Sequence, residues 1–507
     1  MKVKLLLHTI RFLKPTQILY QTKNRFFPYK FNDLKSEAVR NRTWNPQADF
    51  LPPVPSDDHG DIKIGRFRFN NIEEKTTFPP EWNAKDKPKI WRYNLHYLDY
   101  LFFLDYEEAK KLILNWIEQC PPGMEIAWDP YPLSLRIINC CSVFYQKFKD
   151  ETLADEKFNQ SLQASLSIQA QALEKQLEFH LLGNHLFENL AALTLYSHCF
   201  GKDEKTKISR LFERELKEQF LSDGLHFELS PMYHLRLTWL LLSLYNNQNT
   251  SLRELLRPYA ERALMAIEQT THPDKEPALF NDSIFGIYRG AEDLLDFASK
   301  MGLNLSSSEP NFQMEKSGYY GWKDSENYLI VDAGEVGPSY IPGHAHADIF
   351  SFELSFAKER IVVDSGLFDY VPSEMRDYCR STAAHNSVVI DGVNQSEVWH
   401  AFRVARRVEP KLCEYKNDQD GFSLKGEVSN YLSKGKAKHI RHIEWLKGAT
   451  LIVKDKVEGV FQEANSYLHL HPDCELISKE GNKWIFQKGS VSFNLSFSGI
   501  EPIIEKS

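Results

Sequence analysis

The chain lacks most of the features that would place a protein at a glance. Its seven cysteines, Cys120, Cys140, Cys141, Cys199, Cys379, Cys413 and Cys474, are odd in number and scattered over 507 residues. With no CxxC spacing among them, neither a disulfide framework nor a cysteine zinc site is indicated, and reduced thiols are expected. No run of about 18 or more apolar residues occurs, so no segment reads as a membrane-spanning helix. Charge of one sign is also missing. The 61 Lys and Arg stand against 69 Asp and Glu, a net charge of −8, and no basic stripe is interleaved with aromatics, so nucleic acid is not an expected partner. The HExxH signature of zinc proteases and any repeat of fixed period are absent too. What remains, 42% hydrophobic and 26% charged residues, describes a globular chain long enough for more than one core.

Acidic residues are missing from one stretch in particular. Met1 to Lys30 carries seven Lys or Arg and no Asp or Glu. MKVKLLLHTIRFL begins like an export signal, but His8 and Arg11 interrupt its apolar run and no small-residue cleavage site follows, so a cytoplasmic location is expected. The basic segment reads as a solvated amphipathic helix, with peripheral contact to an anionic membrane face or to a partner as the alternative.

Hydrophobic periodicity divides the rest. Residues 45–80 are rich in Pro, Asp and turn residues around one alternating run, DIKIGRFRF, which reads as a linking arm with a hairpin. From about Trp91, segments such as LHYLDYLFFL, EEAKKLILNWIEQC, ENLAALTLYSHCF and LRLTWLLLSLYNN carry apolar residues at helical spacing. Beyond about Ser306 the pattern becomes short strands separated by turn residues: YLIVDAG, FSFELSF, RIVVDSG, NSVVIDG, HIRHIEWL. The expected organisation is a basic lead and arm over residues 1–90, a helical domain over 91–308 and a β-sandwich over 309–507.

Three segments carry residues suited to chemistry. GNHLFEN sets Asn184, His185 and Glu188 on one face of a helix, a polar cluster that serves either as a site or as a tie between helices. In ELSPMYHLRLTW, Ser230 fits an N-cap and Pro231 the first helical position, so Tyr233 falls in the first turn with Arg236 one turn on. That placement favours a tyrosinate against its usual pKa of about 10. GHAHADIFSFELSFAKERIVVDSG and RSTAAHNS then bring His344, His346, Asp364 and His385 to the borders of short strands. In extended chain His344 and His346 point to opposite faces, and His346, Asp364 and His385 form a nitrogen and oxygen set suited to Zn²⁺.

Taken in order, GNHLFEN, SPMYH, GHAHADIFSFEL with VVDSG, and TAAHNSVVIDG resemble the heparinase II/III-like polysaccharide lyases and their alginate lyase relatives, over roughly residues 90–400. The resemblance implies an incomplete (α/α) toroid followed by an antiparallel β-sandwich, with the site in the cleft between them. It also implies β-elimination on an acidic, uronic-acid-containing polysaccharide. Asn184 would neutralise the uronate carboxylate, helped by Glu188 in protonated form. Tyr233 would take the C5 proton or protonate the leaving oxygen, with His185 and His344 as partner acid and base. By the same resemblance His346, Asp364 and His385 correspond to ligands of a structural zinc, and Arg380 and Asn386, beside that site, together with Arg236, are candidate substrate contacts. Two other readings stay open: a toroid-type glycoside hydrolase using Glu188 and Asp282, and a non-catalytic polysaccharide-binding or assembly factor.

Overall fold

The computed structural model describes the whole chain apart from residues 1, 38–45, 56–59, 70–71, 202–206, 248, 304–310, 419–420, 430–431, 433–436, 447–449, 500–501 and 506–507. Two helices, α1 (Lys2–Ile10) and α2 (Pro15–Phe26), lead into an antiparallel hairpin, β1 (Arg66–Phe69) and β2 (Ile72–Lys75). The helical part follows: α3 (Lys89–Tyr97), α4 (Tyr106–Gln119), α5 (Pro130–Ser142), α6 (Lys149–Ala154), α7 (Glu156–Lys175), α8 (Gly183–Phe200), α9 (Lys207–Gln219), α10 (Pro231–Tyr245), α11 (Thr250–Gln269) and α12 (Ala291–Lys300). Side-chain caps start several of them: Asp105 accepts from Glu108 N in a capping box, Asp155 from Phe158 N and Asn249 from Leu252 N. The expected single helix LHYLDYLFFL is broken at Leu98, which takes a left-handed conformation and passes the chain into a 3₁₀ turn.

Strands take over at β3 (Asn311–Met314). The expected border at 308/309 falls within 304–310, outside the described residues. With β4 (Tyr319–Lys323), β5 (Tyr328–Asp332), β6 (Phe352–Phe356) and β7 (Glu359–Val362), β3 forms an antiparallel meander. The short α13 (Glu374–Cys379), β8 (Val388–Ile390), β9 (Val398–Trp399) and β10 (Arg403–Val404) lead to a second meander of β11 (Pro410–Asp418), β12 (Gly421–Val428), β13 (Lys438–Leu446) and β14 (Thr450–Glu458). β15 (Ala464–Ser466) pairs with β8, and β16 (Glu475–Glu480), β17 (Lys483–Lys488) and β18 (Val491–Ser496) close the chain.

The first meander is covered on both faces. Leu329 and Val331 of β5 pack with Phe422, Leu424, Ile443 and Trp445 of the second meander, and Trp322 meets Trp445 at 5.7 Å. Tyr328 and Ile330, on the opposite face, pack against Leu225, Leu229, Ala266 and Phe280 from the helical side. This double burial is why YLIVD reads as a continuous apolar run rather than an alternating one, and it lays the sheet directly against the start of α10.

Candidate active site

The site grows from that contact. Ser230 caps α10, its Oγ accepting from Tyr233 N at 3.3 Å, as the sequence leads one to expect, while the hydroxyl donates to Asp282 O at 2.7 Å. Next to it Asn281 donates to Leu229 O and accepts from His346 N, both at 2.9 Å, and Asp282 N donates to His344 O at 3.1 Å. The segment before β6 is thereby laced to the first turn of α10. Tyr233 and His344, 111 positions apart in the numbering, meet with ring centroids 4.0 Å apart.

Asp282 is the hub. It is fully enclosed, its Oδ2 accepting from His344 Nδ1 and its Oδ1 from His346 Nε2, each at 2.9 Å, while both terminal nitrogens of Arg376 pair with it, Nη2 at 2.8 Å. Burial opposes its charge, but Arg376 and the two imidazoles outweigh burial and hold the carboxyl well below the usual range. An ionised carboxylate only accepts, so His344 Nδ1 and His346 Nε2 each present a proton to it, and burial, which keeps His346 neutral, leaves a lone pair on His346 Nδ1. His344 Nε2 lies 3.3 Å from Glu228 Oε2, and Glu228 Oε1 accepts from Asn184 N at 2.9 Å. Burial raises the Glu228 pKa. The close approach depends on Gly183, where an added Cβ would stand 2.1 Å from Glu228 Oε1.

Around Glu228, therefore, the structure brings together Asn184, Tyr233 and His344, with His185 alongside. The His185 ring lies 4.3 Å from that of Tyr131, and its Nδ1 is 3.1 Å from Glu178 Oε1. Burial disfavours its charge, yet Glu178 prevails and raises its pKa. The side chains of His185 and His344 retain 31% and 12% exposure, which opens the group to solvent. Tyr233 donates to or accepts from Tyr370 at 2.8 Å.

Several expectations change. Tyr233 is not poised as a tyrosinate: burial, then Tyr370 and Tyr288 beside it, raise its pKa well above 10. The expected helper, Arg236, is spent elsewhere. It donates to Glu188 Oε2 at 3.0 Å, Tyr131 donates to Glu188 Oε1 at 2.9 Å, and both Arg236 and Glu188 are buried. Both side chains are thus engaged with each other inside the protein. Arg380 and Asn386 are likewise buried and engaged with backbone groups. Arg380 donates to Ala345 O and His400 O, holding the HAH segment, while the Asn386 amide donates to Phe352 O and Val363 O and accepts from His469 N. His344 and His346 do not point to opposite faces; they converge on the two oxygens of Asp282.

The metal-type cluster also differs in one member. His346, Asp348 and His385 are buried, with ligand atoms within 4.8 Å of one another. His346 Nδ1, Asp348 Oδ2 and His385 Nε2 have no hydrogen-bond partner. Asp364 stands behind this group: its Oδ1 and Oδ2 accept from His385 Nδ1 at 3.0 and 2.9 Å, which turns His385 Nε2 inward. Burial holds His346 neutral, lowering its pKa to about 4, and pushes Asp348 up to about 6. Three enclosed, unpartnered donors of this kind fit a zinc ion with one position left over. Asp282, Glu228, Arg376, Tyr370 and Asp348 are absent from the sequence-based assignment of the lyase site.

Comparison with known proteins matches residues 107–289 to the heparinase II/III N-terminus and residues 307–500 to the heparinase II/III-like C-terminal domain. This chain belongs to the heparinase II/III-like family. Two curated relatives are both named heparin-sulfate lyase. The one from Pedobacter heparinus is 26% identical over 55% of this chain and 47% of its own length, and the one from Bacteroides stercoris is 22% identical over 73% and 56%. The chain thus spans about half the length of the curated relatives it matches. Among solved structures, a heparinase III superposes with a TM-score of 0.59 at 18% identity, covering 81% of this chain and 72% of that one. The fold is accordingly the family's incomplete (α/α) toroid followed by an antiparallel β-sandwich.

Proposed function

We propose that this heparinase II/III-like protein is a polysaccharide lyase that cleaves a uronic-acid-containing glycan by β-elimination. The observation that carries the reading is the close pair of a neutral phenol and an oriented imidazole, Tyr233 against His344 with ring centroids 4.0 Å apart, beside Asn184 in a solvent-open group. The names of the curated relatives point to a glycosaminoglycan as the substrate class.

Each step then has an owner. Asn184 hydrogen-bonds the uronate carboxylate and lowers the cost of the negative charge that develops next to C5. His344, its Nδ1–H fixed on Asp282, takes the C5 proton at Nε2. The electron pair of that C–H bond forms the C4–C5 double bond, the C4–O4 bond breaks, and O4 receives the Tyr233 phenol proton. The phenolate regains a proton from the His344 imidazolium beneath it. Products are a 4,5-unsaturated uronate and a new free hydroxyl. His185, charged more readily because of Glu178, binds the acidic sugar on the helical side. His346, Asp348 and His385 would hold a Zn²⁺, whose charge would fix the sandwich loops that carry His344; Asp364 and Asp282 orient the two imidazoles.

The hydrolase reading loses its carboxylate pair. Glu188 is committed to Arg236 and Asp282 to Arg376, and a carboxyl held well below its usual range is no general acid. The test is a panel of uronate polysaccharides, including sulfated glycosaminoglycans, read by ultraviolet absorbance of the unsaturated uronate. Rising absorbance that Tyr233→Phe abolishes supports elimination. Cleavage without absorbance returns the hydrolase, and binding without cleavage returns the assembly factor.

A further inference from the structure

The basic lead has an outer face that the fold leaves bare. On α1 the exposed apolar residues are Val3, Leu6, Leu7 and Ile10, the i, i+3, i+4, i+7 spacing of a single helical stripe, with Val3 72% and Leu7 63% exposed. On α2 they are Ile18, Leu19 and Phe26, followed by Phe27, the last two 67% and 76% exposed. In a soluble protein such stripes ordinarily turn inward. Here the inward face is occupied by other groups. Gln17 is buried and its amide donates to Leu181 O at 3.3 Å and Tyr340 O at 3.2 Å. Thr9 accepts from Trp399 Nε1 at 3.1 Å, Tyr20 lies on Phe179 at 4.8 Å, and the Arg407 guanidinium sits 4.2 Å from the Phe12 ring. The two helices are therefore fixed to both halves of the molecule, with their apolar stripes facing out. Lys4, Arg11, Lys23, Arg25 and Lys30 are exposed around them, in a stretch with no acidic residue.

We infer that α1 and α2 form a docking face for an anionic lipid bilayer, the apolar stripes entering the headgroup boundary and the cations meeting acidic headgroups. The chemistry commits to lipid rather than to a second copy. A second copy would bring the same uncompensated cations against these, whereas an acidic bilayer offers apolar depth and negative charge together. No described helix is long and apolar enough to cross the membrane, so the contact is peripheral. Gln17 bonds carbonyls three residues before Asn184 and four before His344, so docking holds the candidate cleft close to the bilayer. On the lyase reading, the glycan it takes is one attached to or emerging from a membrane; the docking itself does not depend on that reading.

The experiment is sedimentation of the full-length protein with phosphatidylcholine vesicles, with and without phosphatidylglycerol. The expected result is binding to the acidic vesicles alone that weakens with salt, and that falls at least about tenfold both in Leu7→Glu/Leu19→Glu and in Arg11→Glu/Arg25→Glu. All four residues are exposed, and both variants should keep the wild-type melting temperature and their turnover of a soluble glycan. Failure to sediment with either vesicle, equal binding to both, or a dimer in light scattering that Leu7→Glu/Leu19→Glu dissociates would overturn it. Because vesicle binding needs no turnover, its failure is distinguishable from failure of the lyase assignment.

Discussion

Two buried polar clusters, one on the helical side of the site and one on the sandwich side, are completed in opposite ways. On the helical wall Arg236 and Tyr131 donate to the two oxygens of the buried Glu188. On the sandwich wall three buried ligand atoms, on His346, Asp348 and His385, are satisfied by nothing, while the carboxylates behind them are over-committed. A completed network costs least when left alone and serves shape; an incomplete one has a stabilising partner still to gain and serves a ligand. Tyr233 and His344 sit on the seam, each held from its own wall.

The largest expected effect breaks the seam. Tyr233→Phe should lower turnover by about 10²–10⁴-fold, the usual size of one acid–base contribution, with glycan binding and melting temperature unchanged. Activity within a few-fold of wild type would remove Tyr233 from the chemistry. Asp282→Asn comes next, because it strands a buried guanidinium and releases both imidazoles. A loss of about 3–5 kcal/mol in denaturant unfolding is expected, with turnover falling alongside. A variant as stable as wild type would show that Asp282 is no hub.

The third prediction contrasts the two carboxylates of the sandwich wall. Purified protein should contain about one zinc per chain, and chelation should lower its melting temperature. Asp348→Asn should remove a ligand and lose most of the metal, whereas Asp364→Asn should weaken affinity about 10–100-fold, as loss of an orienting partner does. Metal analysis finding none, with fold and activity intact, refutes the cluster; equal metal loss in both variants would erase the distinction. The smallest effect lies away from the cleft. Asp455 is held by Arg441 and His439, which overcome burial and depress its pKa. A depressed carboxylate contributes stability that is present above its unfolded pKa of about 3.9 and is lost as pH falls through its folded value. The gap in melting temperature between wild type and Asp455→Asn should therefore be constant near neutrality and narrow only below about pH 4; a gap that widens there contradicts the assignment.

Local spacing encodes part of this arrangement and packing decides the rest. The Ser230 cap, the Tyr233 position and the helix-then-strand order were legible because each rests on local spacing. Asp348 lies in the same HAHAD run but its inward aim is not a local property of that run, and Asp364 occupies the orienting position behind His385. Glu188, Arg236, Arg380 and Asn386 look free in sequence, and only packing shows the internal partners each already has. Asp282, Glu228 and Arg376 have no local signature. They matter because the 279–283 segment, the residues before α10 and α13 converge in space, which the short polar run of Asn281, Asp282 and Ser283 does not reveal.

The most direct test of elimination is the mass of the product's new non-reducing end after cleavage of a defined uronate oligosaccharide. β-Elimination predicts an end one water lighter than the hydrolysis product, absent with Tyr233→Phe. A product carrying the full water would contradict it, and with it the roles given to Tyr233 and His344.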